Sequence, residues 1–194
     1  GVTATAAIVD IADAAAVQQA FARFGEIDVL VNNAGITRDA TMSATGPDTW
    51  QADIGTNLNG AFNCAHAVLP RMAARRSGNI VTVGSVNGLS ALGDPAYSAG
   101  KAGLISLTRT IAQEYGRFGI RANIVLPGTV RTPIWDSRMA KDPNVLKTLE
   151  RWYPLGRIVE PDEVAQVIAF LASDLASAIT GASIPVDCGL TSGN

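Results

Sequence analysis

One histidine and two cysteines among 194 residues leave little material for a metal centre. Cys64, Cys188 and His66 fall at no ligand spacing, so no metal is expected; both thiols read as packed side chains and His66 as a partly buried packing residue. Charge is also scarce. Charged residues make up 16% of the chain and the formal net charge is −2, which gives no global attraction to nucleic acid. The basic run Arg71 to Arg76 is short enough to be a solvated helix end. Aromatic residues are only 6%, so the core is not built on large rings. No apolar run is long enough to span a membrane, and the opening residues lack the basic-then-apolar order of a secretory signal. A reducing, cytoplasmic setting is the expectation. Finally, no Gly-x-Gly-x-x-Gly spacing occurs near the beginning.

What is present is 47% hydrophobic sequence with 19 glycines, enough for one core and suited to close packing of helices on a sheet. Apolar strand patterns recur at Ala6 to Val9, Ile27 to Val31, Ile80 to Val83, Ala122 to Leu126 and Ala182 to Val186. Longer helical patterns separate them: Asp13 to Phe24, Asp48 to Arg76 with a disturbance near Asn57, Ala96 to Phe118, and Pro161 to about Ser173. This alternation predicts a single α/β domain over residues 1–194, a parallel sheet with helices on both faces. Residues 133–156, with Trp135, Met139, Trp152 and Tyr153, are expected to form a helical cover over a substrate site.

The most informative segment is Tyr97-Ser98-Ala99-Gly100-Lys101. A free tyrosine titrates near about 10 and is a poor base at neutral pH. A lysine one helical turn on places an ammonium beside the phenol oxygen, which favours the phenolate. Such a pair also occurs as plain helix surface, so context decides. Asn32-Asn33-Ala34-Gly35 follows one strand pattern, Asn57-Leu58-Asn59-Gly60 lies in a helix, Val83-Gly84-Ser85 ends another strand, and Pro127-Gly128-Thr129-Val130-Arg131-Thr132 ends a further one. In this order the motifs resemble the short-chain dehydrogenase/reductase family, from about Ala6 to Leu190.

The resemblance implies a Rossmann-like doubly wound sheet and reversible hydride transfer between NAD or NADP and a small alcohol or carbonyl substrate. Tyr97 would exchange the proton, Lys101 would support it and hold the nicotinamide ribose, Ser85 would bond the reacting oxygen, and Asn57 would support a proton relay. Cofactor contacts carry over to Asp10, Ile11, Asn33, Ala34, Gly35, Pro127, Gly128, Val130 and Thr132, beside Tyr97 and Lys101. Ordinary turn chemistry is the alternative for the 127–132 positions, and the ligand role fits Val130 and Thr132 better than the turn formers Pro127 and Gly128. Ser85, Tyr97, Trp135 and Trp152 are candidates for substrate contact, although Trp135, Trp152 and Tyr153 equally suit structural anchors. Ile36-Thr37-Arg38-Asp39 resembles ketoacyl-reductase-like members, whereas Ser85 to Leu92 with Gly93-Asp94-Pro95 resembles sugar and polyol dehydrogenases. Both a 3-oxoacyl thioester and a sugar or polyol therefore stand as substrates. The family's usual first strand–helix–strand portion, with its Gly-rich turn, has no counterpart here, and an amino-terminally incomplete domain is expected over a rearranged sheet. A catalytically silent binding or assembly module without a complete cofactor site is the rival function. Val186-Asp187-Cys188-Gly189 departs from the family's frequent Val-Asp-Gly-Gly at Cys188. The resemblance also implies a homotetramer, with a homodimer second, packed through the two long helices.

Overall fold

The computed structural model describes residues 2–38, 41–90 and 93–193. Asp39 and Leu92, which close two of the sequence motifs, lie outside the described residues. Four parallel strands lie side by side in chain order: β1 (Val29–Asn32), β2 (Gly78–Val83), β3 (Ile120–Pro127) and β4 (Ser183–Val186). The helices are α1 (Ala14–Phe21), α2 (Pro47–Ile54), α3 (Gly60–Arg75), α4 (Pro95–Tyr115), α5 (Asp136–Met139), α6 (Val145–Glu150) and α7 (Pro161–Ala172). Parallel neighbours need crossover connections, and α3, α4 and α7 supply them.

Alternation along the strands sorts the core into two layers. Ile80 and Ala122 pack with Val68, Leu69 and Met72 of α3, and Ile124 and Leu126 pack with Leu104 and Ile105 of α4. Val81 and Val125 point the other way, onto Val164 and Leu171 of α7. Helices thus cover both faces of a Rossmann-like sheet. Polar side chains on the α7 side close that helix's carboxyl end: buried Asn79 donates through Nδ2 to the Leu171 carbonyl at 2.8 Å, and both terminal nitrogens of half-buried Arg121 donate to it at 3.0 Å.

Three expectations need correction. The strand expected at Ala6 to Val9 does not form, and this segment runs irregular and largely exposed. An apolar run becomes a strand only beside a partner for its N–H and C=O groups, and the described residues place none there. Ile11, just beyond, still packs into the cluster under α1 and α3. Second, the basic run is more than a solvated helix end. Arg71 donates to the carbonyls of Phe24 and Gly25, and Arg75 donates to that of Ile27, so the end of α3 holds the connection leading into β1. Third, His66 is exposed rather than partly buried; it lies on the outer side of α3 beside Phe62, with ring centroids 5.6 Å apart.

Candidate active site

The site forms where β2 ends and α4 begins. Pro95 stands at the first helical position of α4, where its missing N–H costs no bond, and Tyr97 and Lys101 follow on the first turns. Ser85 leaves β2 in extended conformation and caps the short 3₁₀ turn Val86–Gly88, its Oγ accepting from the Asn87 N–H at 3.1 Å. The same serine side chain lies near enough to Tyr97 to favour its ionised form. Gly88 allows this turn to lie directly on α4: a Cβ there would come within 2.8–2.9 Å of the backbone of Lys101 and Ala102. Lys101 is 3% exposed, its Nζ donating to the Val83 carbonyl at 2.8 Å and lying 5.4 Å from the Tyr97 ring centroid.

Burial governs the electrostatics. It lowers the Lys101 ammonium from 10.5 to about 8, because a desolvated charge is disfavoured. It also raises the Tyr97 phenol above its ordinary value; the Ser85 side chain pulls downward and the Asp94 carboxylate adds to the rise. The expectation that Lys101 favours the Tyr97 phenolate is opposed here by burial of the phenol. The ammonium is engaged with the Val83 carbonyl, and desolvation of the phenol acts against the phenolate.

The helix disturbance expected near Asn57 is a π turn, Gly55–Asn59, between α2 and α3. Such turns cost regular hydrogen bonding and often mark functional positions. Here it turns Asn57, 1% exposed, onto the loop after β1. The Asn57 amide accepts from the Ile36 N–H at 3.1 Å, donates to the Ile36 carbonyl at 2.7 Å and donates to the Asp53 carbonyl at 2.9 Å. Its side chain is thus committed to bracing residues 33–38. Gly35 in this loop lies against the site, since a Cβ on it would be 3.0 Å from Asn57 Oδ1 and 3.3 Å from Lys101 Nζ.

Asn57, Ser85, Tyr97, Lys101 and Gly35 are therefore brought together. Asn33 and Ala34 are exposed in the same loop. Pro127 ends β3 buried, Gly128 N–H donates to the Val186 carbonyl at 3.0 Å, and Val130 bridges to Val159, which carries Thr132 to the start of the turn Pro133–Trp135. Asp10 is exposed, its carboxylate accepting from Ala12 N–H at 2.9 Å, while the Ile11 carbonyl accepts from Asn63 Nδ2 at 2.9 Å; both stand at the entry to α1. Residues 133–156, the segment expected as a cover, contain α5 and α6. Trp135 packs inward with Leu146, Tyr153 and Ile158, but Trp152 is 62% exposed and lies under the Arg151 guanidinium. Tyr153 is an anchor, its hydroxyl accepting from the Thr129 N–H at 2.8 Å. Sequence reasoning missed Thr37, Arg38, Asp53 and Asp94 as parts of the surroundings. Thr37 donates to Asp94, and Arg38 pairs with buried Asp53. The available signal was Thr37-Arg38 within a motif already singled out.

A sheet of this kind, with a Ser–Tyr–Lys set at the carboxyl ends of its strands, defines an oxidoreductase of the doubly wound class. The chain belongs to the short-chain dehydrogenase/reductase family of NAD(P)-dependent oxidoreductases, and the sequence profile described as "Enoyl-(Acyl carrier protein) reductase" matches residues 2–191. It is similar to the 3-oxoacyl-[acyl-carrier-protein] reductase of Thermotoga maritima, 45% identical over 177 residues that cover 90% of this chain and 70% of that protein. A short-chain dehydrogenase/reductase family oxidoreductase from Burkholderia thailandensis superposes with a TM-score of 0.93 at 52% identity, covering 97% of this chain and 74% of that one. A gluconate 5-dehydrogenase from Burkholderia cenocepacia, solved with NADP and tartrate, superposes with a TM-score of 0.88 at 38% identity over 94% of this chain and 73% of that one.

Proposed function

We propose that this chain is a carbonyl reductase, reversible as an alcohol dehydrogenase, that acts on a 3-oxoacyl thioester with NADP or NAD. The observation that carries the reading is the half-buried Tyr97 on the first turns of α4, near Ser85 and with the Lys101 ammonium 5.4 Å from its ring centroid. The nicotinamide end of a cofactor fits the residues present: Gly35 lets the loop backbone lie close against the Lys101 ammonium, since a Cβ there would come 3.3 Å from Nζ. Tyr97, Lys101, Val130 and Thr132 would hold that end, and when bound the reduced nicotinamide supplies the hydride. Tyr97 gives its proton to the carbonyl oxygen, Ser85 holds that oxygen as charge builds on it, and Lys101 supplies the nearby positive charge. The likeness to a 3-oxoacyl reductase, the Thr37-Arg38 motif and the apolar inner side of the cover around Trp135 favour a thioester substrate. A sugar or polyol substrate draws support from the gluconate 5-dehydrogenase neighbour. The same reading implies a homotetramer or homodimer acting in the cytoplasm.

One observation favours the rival reading of a binding or assembly module. The outer edge of β1 has no partner strand among the described residues, and Val29 and Val31 on it are 38% and 42% exposed. Intact mass combined with an NADPH titration separates the two readings. Saturable binding by a chain of confirmed mass, followed by NADPH oxidation on adding a 3-oxoacyl thioester, is the expected result. A chain of the mass of these residues that binds no NADPH contradicts the enzyme reading.

A further inference from the structure

Three consecutive residues of the loop after β1 are held by three different partners. The Ile36 backbone is bracketed by the Asn57 amide, Thr37 Oγ1 donates to the Asp94 carboxylate, and the Arg38 guanidinium pairs with Asp53. Two of these contacts close a ring, because Asn57 also donates to the backbone carbonyl of Asp53 at 2.9 Å. The ring runs from Ile36 through Asn57 and Asp53 to Arg38. The Asp53 side chain is 2% exposed and that of Arg38 is 47% exposed, so one charge is buried and the other reaches in to meet it. Removing one partner of such a pair leaves a buried charge without compensation, which makes the pair a strong constraint on geometry whatever its net contribution to stability. The constrained segment includes Gly35, which faces Asn57 Oδ1 and Lys101 Nζ.

We propose that Arg38 and Asp53 are positioning residues: their ion pair locks the 33–38 loop so that the Gly35 backbone is held at a fixed distance from Lys101, preforming the floor on which the nicotinamide end rests. The functional consequence rests on the reductase reading; the mechanical part does not. Neither residue touches Tyr97 or Lys101 directly, and both act through the loop and Asn57.

Amide hydrogen exchange by NMR in the cofactor-free protein tests the lock. The Ile36 N–H, bonded to Asn57 Oδ1, reports on the loop, and the Ile124 N–H, bonded to the Ala182 carbonyl at 2.9 Å, reports on the sheet. Arg38→Gln should speed Ile36 exchange by about tenfold or more while Ile124 is unchanged. Arg38→Gln with Asp53→Asn, which neutralises the stranded carboxylate and allows an amide–amide bond, should restore Ile36 to within about threefold of wild type. NADPH affinity should fall in the single variant and recover in the double. Unchanged Ile36 exchange in Arg38→Gln overturns the proposal, as does equal acceleration of both amides, which would mark a global effect. Faster Ile36 exchange with unaltered NADPH affinity also overturns it. Where Arg38→Gln does not fold, Arg38→Lys, which keeps the charge but not the planar fork, should give a smaller acceleration of Ile36 alone, and none overturns the lock. Failure of the wild-type chain to bind NADPH contradicts the reductase reading, and the exchange measurements then decide the lock by themselves.

Discussion

Lys101 carries the sharpest electrostatic consequence at the scale of single residues. Its folded value of about 8 lies below the ordinary 10.5, so between those values the unfolded chain binds more protons than the folded one. Stability contributed at this position must therefore rise as pH increases from about 8 to 10.5 and level off above it; below 8 both states are protonated and the full cost of burying the charge applies. The wild type, measured against Lys101→Met by urea unfolding, should gain about 2 kcal/mol between pH 7 and pH 10. A constant difference would show an ordinary, hydrated lysine. Turnover should decline on the same alkaline side as Lys101 loses its charge. Composition could not disclose these values. The Tyr-x-x-x-Lys spacing made the pairing legible, but the sign of the tyrosine shift depends first on burial, which only the folded arrangement sets.

At the scale of elements, the strand and helix order was legible because strand alternation and helical periodicity are local. Even the irregularity at Asn57 showed in the pattern. Pairing partners are not local, which is why the apolar run Ala6 to Val9 reads as a strand and yet pairs with no strand among the described residues. Residues 133–156 make the same point: their helical character was readable, but adjacent aromatics point apart, so Tyr153 takes the inner position and Trp152 the outer one. Gly88 is a contact that no pattern announces. Gly88→Ala would set a Cβ against the backbone of α4, which cannot yield as a flexible side chain would. The variant should lose about 1–3 kcal/mol in urea unfolding. It should also lose turnover out of proportion to the destabilisation, since the displaced turn carries Ser85. An unchanged midpoint with normal turnover would remove this turn from the account.

For the whole molecule, the exposed apolar side chains bear on assembly. Phe62 on α3 is 50% exposed and Phe170 on α7 is 40% exposed, on helices that also pack the sheet from opposite faces. Burying such faces between copies gives closed symmetric oligomers. Sedimentation velocity should show a dimer or tetramer that persists on dilution, and a folded monomer across the concentration range would refute it. Among the described residues no helix is long and apolar enough to cross a membrane. The central claim, that Tyr97 and Lys101 form a proton-donating site beside a nicotinamide, is tested most directly by isotope transfer. Reduced NADP deuterated at the transferring carbon is incubated with a 3-oxoacyl thioester and either wild-type protein or Tyr97→Phe, and the product is weighed by mass spectrometry. The account predicts deuterium on the new carbinol carbon with the wild type and a loss of about a hundredfold or more in rate with Tyr97→Phe, whose fold is retained. Label transferred equally well by the variant, or unlabelled alcohol from the wild type, would contradict it.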